Sequence, residues 1–96
     1  MYIMNERSGS IVNTAFVSEF FLTKTSDSTL LSMRWNGMEK LCTLERYKTY
    51  DEAMDALCAL MRALEAEQDT FYVPESLYYF EDSIKKDARI KRRGGS

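Results

Sequence analysis

The stretch Tyr47–Gln68, YKTYDEAMDALCALMRALEAEQ, constrains this chain more than any other. Thr49 is placed to cap the start of a helix, and Glu52 stands at the reciprocal position of a capping box. Asp51, Glu52 and Asp55 put negative charge near the positive end of the helix dipole. Met54, Leu57, Cys58, Met61 and Leu64 then recur at three- and four-residue spacing, with Ala53 and Leu60 beside them. That spacing predicts an amphipathic helix over 49–68 whose methionine- and leucine-rich stripe faces a core.

What precedes the helix reads as strands. Thr29–Trp35 and Met38–Arg46 flank Asn36-Gly37, the dipeptide suited to the positive φ angles of a tight hairpin turn. A two-residue turn sets Trp35 opposite Met38, Arg34 opposite Glu39 and Leu31 opposite Cys42. Leu31, Met33, Trp35, Met38, Cys42 and Leu44 then share the core face, with Lys40 the misfit that a shifted or bulged register would turn outward. Upstream, Tyr2-Ile3-Met4 is short and extended, and Ser8-Gly9-Ser10 is a turn. Ile11-Val12 opens a segment continuing through Phe16 to Thr23, where neither parity is cleanly polar; such a strand is covered on both sides or bulged. Downstream, Phe71-Tyr72-Val73 reads as a short added strand. Pro74 suits the first turn of a second helix with Leu77, Phe80, Ile84 and Ala88 on its stripe.

The expected fold class is α+β, a small antiparallel β-meander packed on one amphipathic helix, plus a C-terminal helix. The expectation is a single domain over 1–96, with the antiparallel sheet at 1–46, the main helix at 49–68, the C-terminal helix at 74–91 and a disordered tail at 92–96. Gly94-Gly95-Ser96 is set aside as a candidate cloning scar.

Several chemistries are excluded by what the composition lacks. The chain has no histidine, which removes imidazole acid–base catalysis, a Ser-His-Asp triad and His-ligated zinc. Its four glycines, Gly9, Gly37, Gly94 and Gly95, form no phosphate-cradling loop. Cys42 and Cys58 are too few for a disulfide scaffold and read as small apolar residues in a reducing compartment. No signal peptide or membrane-length apolar run is visible, so the expected location is cytoplasmic, with no membrane partner. No catalytic, cofactor-binding or metal-binding residue is expected, and the chain is not read as an enzyme.

Charge is unevenly distributed. Residues 1–84 hold 14 acidic against 7 basic side chains, whereas residues 85–96 hold 6 basic against one acidic. Between Ala63 and Ile84 there is no lysine or arginine at all. Glu65, Glu67, Asp69, Glu75, Glu81 and Asp82 lie there, interleaved with Tyr72, Tyr78 and Tyr79. These nine residues form either a solvated acidic face or an interaction surface, since tyrosine supplies contact area with few rotatable bonds. Read as a surface, they bind a partner protein, with a homodimer as a further option. The tail cations Lys85, Lys86, Arg89, Lys91, Arg92 and Arg93 could instead neutralise phosphates, making nucleic acid the competing partner.

Three fragments carry a family resemblance. Ile11-Val12-Asn13 is similar to an early "IVN" strand. Tyr47-Lys48-Thr49-Tyr50-Asp51-Glu52-Ala53 resembles a "Y-x-[ST]-x-x-E-A" helix start, and Tyr72-Val73-Pro74-Glu75 resembles a "Y-M-P-E" ending. Together they resemble a group of small α+β proteins of Gram-positive bacteria and their prophages. The resemblance implies a small, often phage-encoded protein acting in the host cytoplasm, and brings no catalytic residue with it. The long basic extension after Glu81 departs from the pattern. With the charge layout, it leads to the expectation of a non-enzymatic phage or mobile-element protein that binds and inhibits a host protein. A CRISPR-type defence effector is the example in view, which would make the chain an anti-CRISPR protein. The alternative expectation is a small nucleic-acid-binding or regulatory protein that uses the basic tail.

Overall fold

The computed structural model describes residues 1–79. Strands β1 (Tyr2–Asn5) and β2 (Ser10–Asn13) form an antiparallel hairpin with Met4 opposite Ile11. Gly9 closes its turn at φ +71°, donating its N–H to the Asn5 carbonyl over 2.9 Å. A single 3-10 turn (Thr14–Phe16) then leads into β3 (Val17–Lys24), β4 (Thr29–Trp35) and β5 (Leu41–Tyr47), an antiparallel meander in that order. Helix α1 (Tyr50–Glu65) packs across the meander. Strand β6 (Thr70–Tyr72) returns to the first sheet and pairs parallel with β1, giving the order β2-β1-β6.

The α+β class and the meander under the helix are as expected. The strand expected at Phe71-Tyr72-Val73 is also present, one residue earlier. The single antiparallel sheet over 1–46 is not: those residues divide between two three-stranded sheets, one of them mixed. A parallel pair needs a long crossover, and the meander and helix between β1 and β6 supply it. One core joins the layers. Ile3, Val12 and Phe71 come from the first sheet, Leu31, Met33, Leu44 and Tyr47 from the second, and Ala53, Ala56, Leu60 and Ala63 from the helix.

The hairpin register differs from the two-residue expectation. Gly37 does sit at φ +72°, but pairing starts only at Arg34 opposite Leu41, and Met33, not Leu31, faces Cys42. Residues 38–40 loop out, leaving Met38 and Lys40 exposed. The longer loop avoids placing the Lys40 ammonium on the core face, where it would be desolvated without a partner. A second irregularity lies deeper in the pair: Ser32 faces Thr43 while Leu31 faces Glu45, so Leu44 is an extra residue on β5. This bulge turns both Leu44 and Glu45 inward. The segment before it, expected to be either covered on both sides or bulged, carries a bulge between Val17 and Glu19.

The helix is capped as its sequence requires. Thr49 Oγ accepts from the Glu52 N–H at 3.2 Å, while Glu52 reaches back to the Lys48 N–H at 2.9 Å, one residue beyond the expected target. Its buried face is not the expected stripe. Ala53, Ala56, Leu60 and Ala63 face the core, Met54, Leu57 and Cys58 are half-buried, and Met61 and Leu64 are exposed. Three alanines let the helix backbone settle close to the sheet, which displaces the bulkier side chains to the flank. The helix also ends at Glu65 instead of 68. Gln68 N–H donates to Ala63 O and Glu67 N–H to Leu64 O, a Schellman closure with Glu67 in the left-handed region at φ 53°.

Of the expected C-terminal helix at 74–91, residues 77–79 are helical. Residues 74–76 are not helical, so Pro74 does not sit in a first helical turn; residues 80–91, with Phe80, Ile84 and Ala88, and the tail at 92–96 lie outside the described residues. No described helix is long and apolar enough to cross a membrane.

Candidate functional site

The β5 bulge creates the most unusual environment in the molecule. Glu45 is only 2% exposed, yet it carries a carboxylate. Arg7, from the β1–β2 turn, meets it with Nε at 3.1–3.2 Å from both oxygens and Nη2 at 2.9 Å from Oε1. Asn5, also buried, donates Nδ2 to Glu45 Oε2 at 3.3 Å and to the Leu44 carbonyl at 2.8 Å. The Arg46 N–H supplies a further donor at 2.9 Å. Every lone pair that burial would orphan is thus engaged, the condition under which an interior charge is tolerated. The same hydrogen bonds to Glu45 raise the Arg7 guanidinium above its ordinary value.

A cleft of about 480 Å³ opens beside this pair, lined by Asn5, Glu6, Arg7 and Glu45 on one side and residues 73–77 with Tyr79 on the other. The post-β6 segment is fastened to the body at four points. Tyr47 donates its hydroxyl to the Pro74 carbonyl at 2.9 Å, and buried Ser76 hydrogen-bonds the Arg46 carbonyl. Leu77 N–H reaches Glu52 Oε2 at 2.9 Å, so one carboxylate serves both the helix cap and this segment. Tyr78 accepts from Arg46 Nη1 at 3.2 Å, a bond that raises the Arg46 guanidinium. Burial pushes the Tyr47 hydroxyl well above the ordinary tyrosine range, with the Glu45 and Glu52 charges adding to the effect.

These contacts separate the residues read from sequence as one partner-binding surface. Tyr78 and Tyr79 are half-buried and turned inward. The Arg7 guanidinium lies 3.7 Å from the centre of the Tyr79 ring, and Tyr78 meets Tyr79 edge to face at 5.1 Å. Their aromatic faces pack on arginines of the same chain, Arg46 against Tyr78 and Arg7 against Tyr79. Glu65, Glu67, Asp69, Tyr72 and Glu75 are exposed. Among the described residues no ion pair engages any of these four acids. Glu81, Asp82 and the six tail cations Lys85, Lys86, Arg89, Lys91, Arg92 and Arg93 lie outside the described residues.

Glu45, Arg7, Asn5 and Glu52 were not singled out as a cluster by the sequence. One signal was present: Leu44 and Tyr47 are three apart within one strand, an odd spacing that a flat strand cannot bury on one face. A bulge resolves it and carries Glu45 inward. Among the described residues no group of three or more acidic or cysteine side chains is arranged to hold a metal ion. The carboxylate and guanidinium of the cleft neutralise each other, an arrangement suited to holding a shape. Comparisons of the chain with family models, with curated proteins and with solved structures find no match.

Proposed function

We propose that this chain is a non-enzymatic interaction protein that binds a host protein through the acidic surface following α1. The observation that carries the reading is the run of exposed Glu65, Glu67, Asp69 and Glu75 around the exposed ring of Tyr72, with no internal ion pair among the described residues consuming those charges. Glu67 adds support. It occupies a left-handed position that glycine fills at lower cost, and residues held in such conformations tend to cluster at functional sites. An acidic margin around an aromatic anchor suits a basic protein surface, where charge steers the encounter and the ring supplies contact. A phage setting, and inhibition of a host defence effector such as a CRISPR-type nuclease, draw their support from the three sequence fragments that resemble prophage proteins.

The test is capture from host lysate on immobilised full-length protein, with and without nuclease, across a salt series. A retained protein that survives nuclease and is lost on Glu67→Lys with Asp69→Lys is the expected result. Nuclease-sensitive binding that falls steeply with salt would instead assign the activity to nucleic acid and the basic tail.

A further inference from the structure

We propose that the outer face of the β2-β1-β6 sheet is the contact surface, and that it takes a protein surface with an apolar centre and a basic margin. The proposal rests on the interaction-protein reading and specifies which face performs it.

Strand register defines the face. Met4 stands opposite Ile11 on one side and opposite Tyr72 on the other, and Tyr2 lies two residues along the same strand. Alternate residues point to opposite sides of a sheet, and the other parity (Ile3, Val12, Phe71) is in the core. Ile11, Met4 and Tyr72 therefore form one row across three strands, about 10 Å wide. Ile11 is 64% exposed, Tyr72 57% and Tyr2 53%. The outer face of a sheet covered on one side is normally polar. Here only Asn13 and Thr70, opposite Tyr2, keep that character.

The β6 margin adds direction. The bonds flanking the β1–β6 pair run from Tyr2 N–H to Asp69 O and from Val73 N–H to Met4 O, both 2.9 Å. In a parallel ladder this leaves residues 70 and 72 with their backbone groups turned to the open edge. Around that edge stand exposed Glu67, Asp69 and Glu75. Two copies brought together along it would oppose like charges, so the margin disfavours a second copy and selects a basic partner.

The test titrates the isotope-labelled full chain with two synthetic peptides of identical alternating valine positions, one bearing lysine and the other glutamate between them. The lysine peptide should shift resonances of Tyr2, Met4, Ile11 and Tyr72. Ile11→Ser or Tyr72→Ser should weaken it by about tenfold or more with the melting temperature unchanged, as for truncating a central anchor. Equal binding of both peptides, or shifts mapping elsewhere, would overturn the proposal. So would a dimer in sedimentation that Ile11→Ser abolishes, or a free chain whose face is already shielded from a soluble paramagnetic probe. Ile11 lies across the sheet from the acids, which separates the two claims. A host protein retained by Ile11→Ser but lost on Glu67→Lys with Asp69→Lys removes the face and leaves the interaction reading standing. Lysine-peptide binding at the face without any captured host protein does the reverse.

Discussion

Replacing Arg7 by alanine should cost more than an ordinary half-exposed side chain does, because the loss falls on its partner. Glu45, itself only 2% exposed, would keep only Asn5 and one backbone donor. A destabilisation of about 1–3 kcal/mol follows, read by urea denaturation. Arg7→Met combined with Glu45→Met should recover part of it, since a neutral pair leaves no interior charge. If Arg7→Ala proves neutral, Glu45 is not held as described. Tyr47 gives a pH signature of definite sign. Burial raises its hydroxyl pKa, so above the ordinary value near ~10 the unfolded chain loses this proton while the folded chain keeps it. The stability contributed is therefore complete below about pH 10 and is lost as pH rises beyond it. Tyr47→Phe should cost about 1 kcal/mol at neutral pH through the lost bond to Pro74. It should also flatten the decline in melting temperature above pH 10; equal alkaline slopes for the two proteins would count against the assignment.

Within α1, the two neighbours Leu60 and Met61 should behave oppositely. Leu60 is 1% exposed, and its change to alanine should cost about 2–5 kcal/mol. Met61 is 52% exposed, and the same change should stay within about 0.5 kcal/mol. At the helix end, Glu67→Gly should stabilise the chain by about 0.5–1 kcal/mol by relieving the left-handed backbone, while weakening partner capture if its charge is used. A thermal melt and the lysate capture read the two effects separately. The helix, its cap and the meander were legible because periodicity and turn chemistry are local. The buried face was not, because hydropathy favours Met54, Met61 and Leu64 whereas close packing on a sheet favours Ala53, Ala56 and Ala63. The hairpin register failed for a similar reason: Asn36-Gly37 specified a turn, and the cost of burying Lys40 lengthened it. The arginine packing of Tyr78 and Tyr79 was not legible because their partners, Arg46 and Arg7, are distant in sequence.

At the scale of the molecule, β6 is a clasp only three residues long, and Phe71 is its inward side chain. Phe71→Ala should cost about 3–5 kcal/mol. Amide hydrogen exchange should accelerate first in Tyr2–Met4, with the meander retaining protection longer; uniform loss would mean the two sheets open as one unit. The pairing of β1 with β6 also bears on how the protein is made. Local contacts let the meander and helix consolidate early, whereas β1 has only β2 beside it until Thr70–Tyr72 has left the ribosome. A lone two-strand ribbon is marginal in water. Strand β1 therefore stays unsettled until β6 has been made, and a chain released before Thr70 would carry an open strand edge next to Ile3 and Val12. That makes such fragments ready substrates for quality-control proteases.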